Sequence, residues 1–272
     1  IYKRANVCSI FTRKPAINLI FTAKRGSMNK AGIYLAMPPV IQAKWLPLLQ
    51  RLVPDRDIFT EATDRAIYAI LWKQPENILN ELSSLKTIFS LGAGVDHIVF
   101  DKTVPDIPIV RVVNPNLTQR MCEYVSWRCL DYLRLGKIFR DAQQSRQWLE
   151  DEIPPTASKV NVGIMGIGEL GMAVANQLQA LNFNVLGWSR SAKQISGIRC
   201  YHGEDQLNSF LSETDILVCL LPSTPQTQNR LNIDLFRQLK KTGVLGAPKL
   251  INASRGAIQN EEDIIYALEN GI

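Results

Sequence analysis

Residues 162–181, VGIMGIGELGMAVANQLQAL, decide how the rest of the chain is read. An apolar run is followed at once by Gly166, Gly168 and Gly171, and then by Leu170, Val174, Leu178 and Leu181 at helical spacing. Glycines in a GxGxxG pattern between a strand and a helix suit a dinucleotide. The first permits a tight turn, the second lets a pyrophosphate reach the backbone, and the third lets helix and strand pack closely. The positive end of the helix then faces the anion. The cofactor-binding candidates here are Gly166, Ile167, Gly168, Glu169, Leu170 and Gly171. Such glycines also serve ordinary turns, and it is the strand before and the helix after that favour nucleotide binding.

Some twenty residues further on, an NAD enzyme places a carboxylate against the ribose 2'-hydroxyl. This chain has GWSRSAK at 187–193 instead. Ser189, Arg190, Ser191 and Lys193 offer hydroxyls and cations, which match a 2'-phosphate and favour NADP(H) over NAD(H). A solvated basic loop is the alternative. Two later segments, LLPSTPQTQNRL (220–231) and INASRG (251–256), each follow an apolar strand, and ligands of open α/β sheets bind at such carboxyl ends. They contribute Leu221, Pro222, Thr227 and Ser254 as cofactor candidates and Arg255 as the catalytic candidate. An arginine between an apolar strand and a glycine is a poor candidate for a solvated surface residue, and an anion anchor is the better reading.

Working back toward the N-terminus, GIYLAM, AIYAILW, KTIFSLG and PIVRVV read as strands separated by polar or amphipathic stretches. Continuous apolar strands of this kind predict a parallel sheet covered on both faces. In FSLGAGVDHIVF a strand ends in Gly92-Ala93-Gly94, a backbone nest able to hold a carboxylate, although an empty glycine turn would look the same. Trp72 either walls that site or fills core. Residues 114–144 predict one long helix, with Asn114-Pro115-Asn116 as the breaker, linking this unit to a second series: VNVGIM, FNVLGW, GIRCY, DILVCLL and PKLINAS. The expected fold is α/β, with two Rossmann/flavodoxin-like parallel-sheet domains. Residues 28–117 form the first, a substrate domain, and residues 118–272 the second, a cofactor domain. Residues 1–27 are set aside as a leader or extension.

Composition agrees with an ordinary globular chain: 272 residues, 46% apolar and 21% charged. The net charge of +6 comes from residues 1–27, where Lys3, Arg4, Arg13, Lys14, Lys24 and Arg25 meet no acid. A basic leader on a balanced body is no footprint for nucleic acid. The longest apolar run of that leader, AINLIFTA, falls far short of the roughly 20 residues that span a bilayer, so no membrane partner is expected. Five cysteines without CxxC spacing and only two histidines, His97 and His202, predict a reducing compartment and no metal site. A cytoplasmic location follows, with organellar import as the alternative if the leader is genuine.

The ordered set SLGAGVD, QRMCEYVSW, VGIMGIGELG, GWSRS, LLPSTPQT and NASRG resembles the D-isomer-specific 2-hydroxyacid dehydrogenases, nearest to the glyoxylate/hydroxypyruvate reductase A type, from about Met28 to the last residue. The resemblance implies NADPH-dependent reduction of a small 2-oxo acid substrate, with Arg255 and the Gly92 to Gly94 loop holding it. A homodimer is a candidate assembly on the same ground. The family's proton-donating histidine and its paired glutamate would follow the helix in NEEDIIYALENG, where the sequence given stops. The expectation is therefore a fragment of a longer product, incomplete at the end of its second domain and poorly active alone. The alternative is an NADP(H)-binding module that moves no hydride. His97 borders the glycine loop, but nothing in the sequence orients it as a substitute acid.

Overall fold

The computed structural model describes residues 7–9 and 31–272, which fall into two compact units, Ile1–Asn114 and Pro115–Ile272. Met28 and the leader, apart from residues 7–9, lie outside the described residues.

In the first unit the strands are β1 (Val7–Ser9), β2 (Gly32–Ala36), β3 (Ile58–Phe59), β4 (Ala66–Leu71), β5 (Thr87–Ser90) and β6 (Ile109–Arg111). They form a parallel sheet in the order β1-β6-β5-β4-β2-β3. The segment left out of the fold by the sequence thus supplies an edge strand, with Val7 opposite Ile109. All five residues of β2 are buried, as expected of a strand covered on both faces. Helix α1 (Pro39–Leu52) starts with proline at its first position, where the missing N–H has no helical partner to lose. The short α2 (Asp96–Val99) follows the Gly92–Gly94 turn and buries Ile98.

The second unit opens with α3 (Pro115–Leu133) and α4 (Gly136–Gln144). One continuous helix was expected here, and the structure corrects this. Leu135 takes left-handed angles, φ 53 and ψ 38, and its N–H bonds to Tyr132 O in a tightened turn. The Asp131 carboxylate spans the break to Arg140, 2.7 Å away. Gly136 makes room for that pair, since a Cβ there would fall 2.0 Å from Asp131 Oδ1.

Strands β7 (Asn161–Met165), β8 (Asn184–Ser189), β9 (Arg199–His202), β10 (Ile216–Cys219) and β11 (Lys249–Asn252) form the second parallel sheet, ordered β11-β10-β7-β8-β9. The chain runs outward from β7 in one direction through β8 and β9, then crosses to β10 and β11 on the other side. The point of reversal lies between β7 and β10, whose carboxyl ends open the crevice where such sheets bind ligands. Helix α5 (Glu169–Ala180) packs Val174 and Leu178, both fully buried, onto β7 and β8 residues Val162, Ile164 and Val185. Each such side chain contributes about 1.5–3 kcal/mol. The opposite face is covered by α6 (Leu207–Glu213), α7 (Ile233–Gln238) and α8 (Glu261–Glu269) around Phe210, Leu235 and Ala267. Among the described residues no helix is long and apolar enough to cross a membrane.

Candidate functional site

The glycine turn is shaped by what each glycine meets. Gly166 has φ +108, and a Cβ on it would lie 2.9 Å from the carbonyl carbon of Leu220, at the end of β10. Handedness and close approach both require glycine there. A Cβ on Gly171 would sit 2.1 Å from Gly166 O, so α5 can press onto the turn only without one. Gly168 differs, because a Cβ there would meet nothing within 4 Å. It is the N-cap of α5, and no side chain caps the first-turn N–H groups of the helix. An anion fits this cradle on three counts: donors without side-chain partners, the positive end of a 12-residue helix, and room above Gly168. Ile167 is buried beneath the turn, Leu170 is half-buried and Glu169 is exposed.

The end of β8 comes to the same place through one side chain. Lys193 Nζ donates to Ile167 O, setting an ammonium group on the glycine turn. Ser189 Oγ donates to Ser191 O at 2.8 Å, which folds the loop between them, and Arg190 and Ser191 are exposed.

Beyond β10, Thr227 Oγ1 donates to Pro222 O at 2.7 Å and accepts the N–H of Thr224, closing the LLPSTPQT loop on itself. Ser254 Oγ donates to Leu221 O, tying the loop after β11 to the loop after β10. Further pairing, Asn229 N to Ala257 O and Leu231 N to Ile258 O, zips the two loops together. Gly166 to Gly171, Lys193, Leu221 and Ser254 thus form one connected group at the carboxyl edge of the second sheet.

Arg255 departs from the expectation. It is exposed, with extended backbone, and its Nη1 donates to Ser254 O at 3.2 Å. Of the preceding strand β11 only Ile251 is buried. Asn252, which the sequence did not single out, holds this corner. Its Oδ1 accepts the N–H of Ser254, and its Nδ2 donates to Arg255 O and to Gln259 Oε1 at 2.9 Å. An asparagine at a strand end has so many uses that only its partners reveal this one. Beside it a pocket of about 320 Å³ is lined by Leu117, Arg120, Met121, Tyr124, Asn252, Ala253 and Ser254.

In the first unit the predicted turn is more constrained than the glycines suggest. Gly92 donates its N–H to Ser90 Oγ, 3.2 Å away, so it is not one of the donors open to a carboxylate. Gly92, Ala93 and Gly94 all lack positive φ. Glycine at position 92 is required by Trp72, since a Cβ would lie 2.5 Å from its Cζ3. The Trp72 ring meets His97 edge-on at 5.2 Å, and His97 Nε2 lies 3.3 Å from Leu71 O. In the second unit Cys219 is buried in β10, and burial pushes its thiol up to about 11, as befits a small core residue. Among the described residues no cluster of His, Cys, Asp and Glu is arranged to hold a metal ion.

The family model described as D-isomer specific 2-hydroxyacid dehydrogenase, NAD binding domain, matches residues 127–272. Glyoxylate/hydroxypyruvate reductase A of Serratia proteamaculans is 36% identical over 237 residues, 84% of this chain and 74% of that protein. The protein of the same name from Yersinia enterocolitica is 37% identical over 86% of this chain and 76% of its own. Among solved structures, a probable 2-hydroxyacid dehydrogenase from Rhizobium etli, in complex with NADP, HEPES and L(+)-tartaric acid, superposes with a TM-score of 0.82. It is 38% identical, and the match covers 90% of this chain and 78% of that one. The NADPH-dependent glyoxylate/hydroxypyruvate reductase of Sinorhizobium meliloti, in complex with NADP and sulfate, gives a TM-score of 0.78 and 37% identity, covering 89% and 78% of the two chains.

Proposed function

The chain belongs to the D-isomer specific 2-hydroxyacid dehydrogenase family, and from that premise we propose that it reduces a short 2-oxo acid of the glyoxylate or hydroxypyruvate kind, using NADPH. The observation that carries this reading is the open anion cradle above Gly168, with the Lys193 ammonium held beside it. In this reading the N–H groups at the start of α5 hold the pyrophosphate, and Ser189, Arg190, Ser191 and Lys193 hold the 2'-phosphate. Leu221, Pro222, Thr227 and Ser254 line the cofactor further along. NADP in the complexes from Rhizobium etli and Sinorhizobium meliloti supports the choice of the phosphorylated cofactor. When bound, the reduced nicotinamide would supply hydride to the 2-oxo carbon, and the carbonyl oxygen would take up one proton to give the 2-hydroxy acid.

The protein's own part is to hold and polarise the substrate. Arg255 offers a planar fork to the carboxylate and the adjoining oxygen, and a guanidinium is suited to both at once. The Gly92 to Gly94 turn takes the carboxylate through backbone N–H groups, with Trp72 beside it. Donors of either kind hold a small acid in a fixed orientation, and charge developing on its oxygen is stabilised by groups already in place. Four cysteines with free thiols, Cys122, Cys129, Cys200 and Cys219, support a reducing, cytoplasmic setting. A homodimer is the assembly proposed, which sedimentation would test.

The deciding experiment follows NADPH absorbance on addition of glyoxylate, hydroxypyruvate and other short 2-oxo acids. Oxidation dependent on the acid is expected. Binding of NADPH without turnover of any of them would reduce the protein to a nucleotide-binding module.

A further inference from the structure

We propose that Ser90 is the positioning residue of the substrate-carboxylate turn, fixing it so that the N–H groups of Ala93 and Gly94 receive the anion. This rests on the reading of that turn as part of the substrate site.

Ser90 ends β5 and is only 2% exposed, one of the few buried polar side chains among the described residues. Its hydroxyl donates to Gly94 O at 2.9 Å and accepts the N–H of Gly92 at 3.2 Å. A hydroxyl has one proton and two lone pairs, so this single oxygen serves both ends of the turn with its natural donor and acceptor capacity. The Gly92 N–H is thereby committed, while no acceptor among the described residues takes those of Ala93 or Gly94. The turn is held from the other side as well. The Trp72 ring covers Gly92 closely enough to exclude a Cβ, and Trp72 is braced by His97.

Two uncommitted donors on a turn fixed at both ends form a preorganised anion site, which loses little freedom when an anion arrives. Without the hydroxyl, the Gly92 N–H and the Gly94 carbonyl lose their partner, and the turn resettles to satisfy them. The two free donors then lose their aim. A purely structural serine would affect stability and every ligand alike. A positioning serine affects the anion selectively.

The test uses the full chain with Ser90→Ala and Ser90→Cys, the second filling the same space with a weaker donor and acceptor. Oxalate, which carries the carboxylate and adjoining oxygen of a 2-oxo acid, is titrated calorimetrically so that affinity is read without turnover. In Ser90→Ala the oxalate Kd and the glyoxylate KM should rise about tenfold, with the NADPH Kd unchanged, and Ser90→Cys should fall between Ala and the parent. An unchanged oxalate Kd, or oxalate and NADPH weakened together, overturns the proposal. Should Ser90→Ala fail to fold, Ser90→Cys decides by the same criteria. A parent protein that binds oxalate through Ser90 but reduces no 2-oxo acid would refute the reductase reading and leave this inference standing. One that binds no oxalate overturns this inference, while the NADPH assay still decides the reductase reading.

Discussion

Arg255, the proposed anchor, follows the end of β11 and is open to solvent, with Asn252 holding the backbone that carries it. Replacing it by Ala should lower kcat/KM by at least about 10², or roughly 3 kcal/mol, with KM raised and kcat lowered, because the fork both binds and orients. Arg255→Lys keeps the charge without the fork and should recover only part of the loss. Steady-state kinetics decide, and an unchanged kcat/KM would remove Arg255 from the site. Arg190→Asp should weaken NADPH by far more than NADH, since only NADPH carries the 2'-phosphate. Fluorescence titration with both nucleotides checks this, and equal losses would place Arg190 elsewhere. The position of Arg255 was legible because an apolar run followed by Arg-Gly marks a strand end. Its exposure was not, because exposure depends on what packs around a strand end, which no single strand records. Ser90 and Asn252 were illegible for a related reason: each acts mainly through backbone groups, which leave no mark in a sequence.

The glycine turn separates two kinds of loss at the scale of an element. Gly171→Ala forces a Cβ into the Gly166 carbonyl, so the protein should lose about 1–3 kcal/mol of stability along with its NADPH affinity. Gly168→Ala has room for the methyl, so its unfolding midpoint should stay near the parent's while NADPH binding falls. If Gly168→Ala binds NADPH as the parent does, no pyrophosphate lies over that residue. The helices give a second contrast. Asn260 caps α8 through its side chain, accepting the Asp263 N–H, and Gly271 takes φ +67 just after the helix. Both are local devices, set by residues at the helix ends themselves. The break before α4 was hidden because a left-handed Leu135 goes with a pair, Asp131 and Arg140, nine residues apart. The hydrogen bond from Arg140 holds the Asp131 carboxyl below its ordinary value. A depressed carboxylate stabilises the fold above the unfolded value of about 3.9, and the effect fades as pH falls through the folded value. Asp131→Asn should therefore lower stability by about 1 kcal/mol near neutral pH, with the difference from the parent vanishing in acid. Denaturant titrations across pH would show this, and a difference independent of pH would rule out the charge as its source.

At the scale of the whole molecule, the two sheets were legible from alternation alone, since each β-rich run named in the sequence became a parallel strand. The exceptions are instructive. Two-residue β3 is too short to carry a pattern, and β1 lies in a stretch whose charge pointed away from the fold. The proposed roles divide between the units, with nucleotide at the second and the carboxylate turn in the first, and hydrogen exchange can map each footprint with one ligand at a time. NADPH at about 100 times its Kd should slow exchange about a hundredfold at N–H groups that exchange only from the unliganded protein. Those at 169–171 should be among them, because the anion contacts them directly. Oxalate should slow residues 93 and 94 while leaving residue 92 unaffected, because Gly92 is already bonded to Ser90. An NADPH footprint that misses 169–171 would dissociate the nucleotide from the glycine turn and, with it, the assignment of cofactor to the second sheet.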